Sequence, residues 1–168
     1  MNAIIWENIA LFKGLSASEL ALVRPIFEQV RFDASQTVLG EGADGEDVYI
    51  LVSGKVRIVK SMLLKGLDLM GHEPRKVLAT IPANGYPVFG EMALIDDAPR
   101  SATVETLEPS IFLRATRERF FALCAAHPAL GCKLLTAVGM RLAAMVRNSN
   151  SEVVKLTTAL ALLLQGKR

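Results

Sequence analysis

Between Val30 and Leu113 the chain reads as a series of short β-rich runs separated by Gly, Asp, Asn and Pro, and this texture restricts its fold more than any other feature. The runs Thr37–Leu39, Val48–Val52, Val56–Val59, Val77–Ile81 and Ile111–Leu113 are too short for helices and rich in β-branched residues. Strands this short and closely spaced predict a mainly-β fold. A small sandwich or double-stranded β-helix (jelly-roll) barrel over about residues 28–115 fits them. Helices are expected on both sides of it. Residues 1 to about 27 read as helical, with Ser16-Ala17-Ser18-Glu19 in the form of a capping box and Leu20, Val23 and Phe27 following at helical spacing. Pro25 should limit or kink that helix. After the barrel, Thr116–Ala126 reads as one helix, and His127-Pro128 as a break before a long helix over about 129–147.

Composition narrows the class. At 168 residues and 51% hydrophobic content, the chain holds one domain with a real core. Nineteen basic and seventeen acidic residues are interspersed, giving a net charge of +2 and no nucleic-acid footprint by charge alone. Cys124 and Cys132 lie without metal-ligand spacing and read as reduced thiols. His72 and His127 are the two histidines, too few and too far apart for a cupin-type metal centre or a haem site, so no enzyme activity and no bound metal are expected. The N-terminus lacks a basic, apolar leader pattern, and the apolar run Ala159–Leu164 is too short to span a bilayer. A cytoplasmic protein is expected.

The chemistry concentrates between Phe89 and Val104. Gly90 removes a side chain where backbone would approach a ligand, and Glu91-Met92-Ala93-Leu94 can begin a helical turn whose first amides lack partners. Such amides favour an anion. Asp96-Asp97-Ala98-Pro99 reads as a turn and Ser101–Thr106 as a strand, so period two puts Arg100 on the inward side with Ala102 and Val104. A guanidinium aimed inward needs a partner. A phosphate suits it, because guanidinium and phosphate form parallel charge-assisted hydrogen bonds, with the Ser101 hydroxyl taking another oxygen. Glu91 would repel that phosphate and is better placed to accept from a sugar hydroxyl. The alternative is an internal Glu91–Arg100 ion pair without a ligand.

This run is similar to the phosphate-binding cassette of cyclic nucleotide-binding domains, found in the catabolite activator family, protein kinase regulatory subunits and nucleotide-gated channels. Val38-Leu39-Gly40-Glu41-Gly42 and Asp47 to Ile58 resemble the early strands and turns of the same family, so the resemblance covers roughly residues 8–147. It implies a cyclic nucleotide site built from Phe89, Gly90, Glu91, Met92, Ala93, Arg100, Ser101, Ala102 and Arg141. Glu91 would meet the ribose 2′-hydroxyl, and Arg100 and Ser101 the cyclic phosphate. Serine at 101 resembles members that bind cyclic AMP, with cyclic GMP as the alternate ligand. Arg141 matches a basic residue near the nucleotide, or is a solvated helix arginine. Where the family's lid carries two hydroxyls, this chain has Met145 and Val146, which cannot hydrogen-bond a base. A ligand-free dimerisation scaffold and a cyclic dinucleotide (cyclic di-GMP) sensor are the alternatives.

Residues 1–147 are thus expected to form a cyclic nucleotide-binding domain and 148–168 a helical extension. Leu135, Val138, Leu142 and Met145 repeat at spacings of three and four, which predicts a homodimer seam; the alternative is that they pack on their own barrel. Asn148-Ser149-Asn150-Ser151 should interrupt the helix, with Ser149 and Glu152 capping a fresh one. About 17 residues follow Ser151, too few for the helix-turn-helix of the related transcription factors, so no direct DNA binding is expected. A separate effector protein would receive the signal. The apolar segment Lys60–Arg75, with Met62, Leu63, Leu64, Leu67, Leu69 and Met70, reads as a small arm packed on its own barrel, or as a partner patch.

Overall fold

The computed structural model describes residues 4–61 and 75–165. Within them the β-rich runs form β1 (Glu28–Phe32), β2 (Thr37–Leu39), β3 (Asp47–Ser53), β4 (Lys55–Ser61), β5 (Arg75–Pro82), β6 (Val88–Phe89), β7 (Thr103–Thr106) and β8 (Ser110–Thr116). They pair as two four-stranded antiparallel sheets, in the orders β1-β8-β3-β6 and β2-β7-β4-β5. The result is the expected jelly-roll-like sandwich. Of the apolar arm, Met62 to Met70 lies outside the described residues, while β4 runs out to Ser61 and β5 begins at Arg75.

The first sheet is the middle layer, covered on both faces, which explains why β3 is buried from Val48 through Leu51 without alternation. Val48 and Ile50, with Leu113 and Ala115 of β8, face a helical layer. Tyr49 and Leu51, with Phe112, face Val56 and Val104 of the second sheet. Phe32, Tyr49 and Phe112 meet edge to face, with centroids 5.5–6.4 Å apart, an arrangement that favours aromatic pairs beyond their burial.

The helical layer contains α1 (Ala17–Val23), α2 (Arg117–Ala126) and α3 (Pro128–Gln165). The capping box at Ser16 is formed: its hydroxyl accepts from the Glu19 amide at 3.2 Å, and the Glu19 carboxylate accepts from the Ser16 amide at 2.8 Å. Pro25 sits in the 3-10 turn Arg24–Ile26 that closes α1, so the expected helix up to about residue 27 is shorter. Ahead of α1 the chain forms two further 3-10 turns, Trp6–Asn8 and Ala10–Phe12. Phe27 leaves the helical register and meets Trp6 and Phe12 edge-on, at 5.9 and 5.6 Å between centroids. At Gly131 a β-carbon would lie 2.8 Å from the Cys124 β-carbon, so glycine lets α3 cross α2 almost backbone to backbone.

Two expectations about α3 need correction. The helix does not stop at 147 or restart at Ser149; it runs unbroken for 38 residues. Asn and Ser cost a helix only about 0.5–0.7 kcal/mol each relative to Ala, and no Pro or Gly lies between Met140 and Gln165 to break it. Glu152, the expected cap, pairs with Lys155 instead, at 2.7 Å. The predicted dimer seam also packs differently. Val138 is 0% exposed in the core with Leu130 and Leu134, and Leu135 and Leu142 lean on that core, so these three pack on the domain's own interior, while Met145 is exposed. From Met145 onward every described residue of α3 is exposed.

Candidate functional site

The segment between β6 and β7 carries the candidate chemistry. β6 ends at Phe89, whose ring lies in the core between the sheets. Gly90 then adopts φ +78°, and Glu91–Leu94 follows as a 3-10 turn. A β-carbon at Gly90 would stand 2.6 Å from Arg100 Nη1 and 2.8 Å from the Asp47 carbonyl oxygen, so both the left-handed backbone and the available space demand glycine. Glu91, Ala93 and Leu94 turn inward, while Met92 is exposed. The Ala93 amide already donates to the Gly90 carbonyl at 3.1 Å, so of the amides expected around an anion this one is engaged within the turn.

Arg100 is 9% exposed, yet strand alternation does not set its direction, because β7 begins three residues later at Thr103. Backbone pairing fixes it instead. The Arg100 amide donates to the Ala43 carbonyl at 3.0 Å, and the Arg100 carbonyl accepts from the Gly42 amide at 2.9 Å. The guanidinium thereby reaches the start of β3, where Nη2 donates to the Asp47 carbonyl at 2.8 Å and Nη1 to the Gly90 carbonyl at 3.2 Å. Its partners are backbone carbonyls. The Asp47 carboxylate is taken by Arg114 at 3.0 Å, and among the described residues no carboxylate forms an ion pair with Arg100. Burial pulls the Arg100 pKa below its ordinary value, with the charges of Asp47 and Tyr49 acting in the opposite direction.

The Glu91–Arg100 ion pair weighed as an alternative is therefore not formed. Glu91, 4% exposed, instead accepts two hydrogen bonds from Arg141 of α3 on the same oxygen, Oε1: Nη2 at 2.8 Å and Nε at 3.2 Å. Arg141 Nη2 also donates to the Val88 carbonyl at 3.2 Å. Arg141 is thus a bridge between the long helix and the cassette rather than a solvated helix arginine. Ser101 is exposed and Ala102 half-buried beside Arg100, whereas Met145 and Val146 are exposed a turn beyond Arg141.

Sequence reasoning missed the turn before β3. Gly45 stands against the guanidinium, where a β-carbon would lie 3.0 Å from Nη2 and 3.1 Å from Nε of Arg100. The glycines at 40, 42 and 45 were its available signal, but carbonyl partners such as those of Ala43 and Asp47 carry no side-chain signature. No group of three metal-ligating side chains occurs among the described residues.

This segment and the sandwich that holds it fall within a stretch that matches a known family. The pattern of the cyclic nucleotide-binding domain matches residues 29–127, more than half of the chain. The chain belongs to the cyclic nucleotide-binding domain family. It is 29% identical over 132 residues to the cyclic AMP receptor protein of Thermus thermophilus, covering 79% of this chain and 56% of that protein. It is also 29% identical over 118 residues to the cAMP-dependent protein kinase regulatory subunit of Dictyostelium discoideum, covering 70% of this chain and 34% of the relative. The chain therefore spans between about an eighth and three-fifths of the length of the curated relatives it matches. Among solved structures, the catabolite activator protein of Thermus thermophilus superposes with a TM-score of 0.74 at 26% identity, over 88% of this chain and 63% of that one. A cyclic nucleotide-binding domain from Methylobacillus flagellatus gives 0.75 at 26% identity, over 89% and 82%. These relatives are regulators, and the family's fold is the one described above.

Proposed function

We propose that this chain is a non-catalytic cytoplasmic sensor of a cyclic nucleotide, preferentially cyclic AMP, which it binds between Arg100 and Glu91. The observation that carries the reading is the Arg100 guanidinium: buried, charged and bonded to carbonyl dipoles rather than to a carboxylate. Such a group is costly to leave in place without a stronger acceptor. A cyclic phosphate supplies one, and a charge-assisted bond to phosphate is about twice as strong as a neutral one. Ser101 offers a hydroxyl to the same anion. Both Arg141 contacts fall on Oε1 of Glu91, and Oε2 is the oxygen we assign to the ribose 2′-hydroxyl.

Arg141 links this event to output. A ligand that pulls on Glu91 also pulls on α3 through two hydrogen bonds, and the Val88 carbonyl ties the same guanidinium to β6. Ligand binding then favours one orientation of α3 to the extent that it prefers the matching cassette. Readout passes through a symmetric homodimer and from it to a separate effector. We assign the seam to Val146, Ser149, Val153, Leu156, Leu160 and Leu163, which alternate at three and four residues along the exposed part of α3. Valine at the a positions 146 and 153, with leucine at the d positions 156 and 163, favours a parallel two-stranded coil.

Calorimetry with cyclic AMP, cyclic GMP and cyclic di-GMP tests the ligand. Arg100→Ala should weaken cyclic AMP binding by about 2–5 kcal/mol. Unchanged affinity in that variant sinks the assigned site.

A further inference from the structure

Tyr86, in the turn ahead of β6, holds a backbone conformation that its own side chain and its neighbour both disfavour. Its φ is +53°, where a bulky residue is an outlier, and Pro87 pushes the residue before it toward extended backbone with negative φ. Such a conformation persists only where the surroundings over-determine it. Three contacts do so here. The Tyr86 amide donates to the Ala83 carbonyl at 3.1 Å, closing the turn, and the half-buried ring packs against the core of the helical layer. The third contact is distant in sequence: the Tyr86 hydroxyl accepts from the Ile5 amide at 3.1 Å.

This turn feeds directly into the candidate site. The Pro87 carbonyl accepts from the Leu51 amide at 2.9 Å, and β6 then sets Val88 against Ile50 and Phe89 against Tyr49. Two cross-strand pairs give a strand little hold of its own, so the turn ahead of β6 decides where its residues lie. The Val88 carbonyl is the one that Arg141 takes at 3.2 Å, and the Gly90 carbonyl is the one that Arg100 takes at 3.2 Å. At the far end of the Tyr86 bond, Ile5 leads into the turn Trp6–Asn8. Trp6 stacks on Phe12 with 5.8 Å between centroids, and Phe12 lies in the same buried core as Leu134 and Val138 of α3. The N-terminal segment therefore touches β6 through the Tyr86 hydroxyl and α3 through its aromatic residues.

We propose that Tyr86 is a positioning residue for the nucleotide site: anchored on the N-terminal segment, its side chain holds a strained turn and thereby sets Val88 and Gly90 against Arg141 and Arg100. This inference rests on the nucleotide reading given above and deepens it, by adding the N-terminal segment to the elements that the ligand biases. A ligand that draws on Glu91 and Arg100 works against the same turn, so its binding is felt at Ile5 and Trp6. Trp6 is the single tryptophan, and its emission reports that segment alone. The test titrates cyclic AMP into the whole chain and follows both the heat of binding and the tryptophan emission. In the wild type the emission should change in step with the calorimetric isotherm. Tyr86→Phe keeps the ring and removes the hydroxyl, and because Ile5 is exposed, water satisfies its amide and no donor is stranded. That variant should bind cyclic AMP about 3- to 10-fold more weakly, the range for one neutral hydrogen bond, and should lose the Trp6 response even at saturation. Tyr86→Gly adopts positive φ without strain but lacks the anchor, and should behave in the same way. A Tyr86→Phe variant that binds within twofold of wild type, or keeps the full Trp6 response, overturns the role of Tyr86 and leaves the nucleotide site standing. Wild-type affinity in Tyr86→Gly does the same, since the turn alone would then place β6. A saturated wild type with unchanged Trp6 emission overturns the coupling, whereas a wild type that binds no cyclic AMP overturns the reading of the site itself and this inference with it.

Discussion

Alanine at Gly90 and alanine at Gly85 make a matched pair. Both glycines have φ +78°, so each substitution places a β-carbon in the left-handed region and carries the same backbone strain. That strain is about 1–2 kcal/mol, reduced by about 0.4–1 kcal/mol because alanine also restricts the unfolded chain. The surroundings differ. At Gly85 nothing lies within 4 Å of the new atom, whereas at Gly90 it meets Arg100 Nη1 at 2.6 Å and the Asp47 carbonyl at 2.8 Å. Relieving that collision requires the guanidinium to leave at least one carbonyl, adding about 1–3 kcal/mol of overpacking cost. Gly85→Ala should therefore lose about 0–1.5 kcal/mol of stability in urea denaturation, and Gly90→Ala about 1–4.5 kcal/mol. Calorimetry should separate them further: cyclic AMP affinity within twofold of wild type for Gly85→Ala, and about 30-fold or more weaker for Gly90→Ala, since 1.4 kcal/mol is a factor of ten. Equal losses in both variants, in stability and in affinity, would refute the claim that Gly90 is fixed by the Arg100 site.

Three further outcomes follow from the same geometry. Arg141→Ala removes both bonds to Glu91 Oε1, and cyclic AMP affinity measured by calorimetry should drop by about 1.5–3 kcal/mol, the range for hydrogen bonds to charged groups. Val138→Ala removes two methyl groups from the core and should lower folding stability by about 2 kcal/mol in urea denaturation. Glu19 has its pKa lowered first by the hydrogen bond from Lys133 of α3 and then by the Ser16 amide. A depressed carboxylate contributes stability above its unfolded pKa and loses it as pH falls through the folded value, so thermal scans of Glu19→Gln should show a shallower loss of Tm than wild type below the ordinary glutamate range.

The fold was legible where one residue pattern has one physical meaning. Ser16 and Glu19 announced a cap because their side chains satisfy amides that only a helix start leaves open. The short β-branched runs announced strands, with β3 and β8 where Val48–Val52 and Ile111–Leu113 predicted them. The stripe at Leu135, Val138 and Leu142 was ambiguous, because spacing of three and four serves equally for packing on one's own barrel and on a partner. One residue of rotation, from buried Val138 to exposed Gly139, separates the core face of the helix from its exposed face. The polar run at 148–151 misled for a different reason: weak helix formers end a helix only when the cost accumulates or a Pro or Gly intervenes. At the site, the inward direction of Arg100 was anticipated from strand alternation, but its cause is backbone pairing with Gly42 and Ala43. The Glu91–Arg141 link joins residues fifty positions apart, and nothing local in either segment encodes it.

A crystal structure of the complex with cyclic AMP tests whether Arg100 holds the phosphate. This assignment requires the cyclic phosphate within hydrogen-bonding distance of the Arg100 guanidinium and the Ser101 hydroxyl, with the ribose 2′-hydroxyl on Glu91 Oε2 and Arg141 still on Oε1. A nucleotide bound elsewhere, with Arg100 held as before by the Gly90 and Asp47 carbonyls alone, would contradict it.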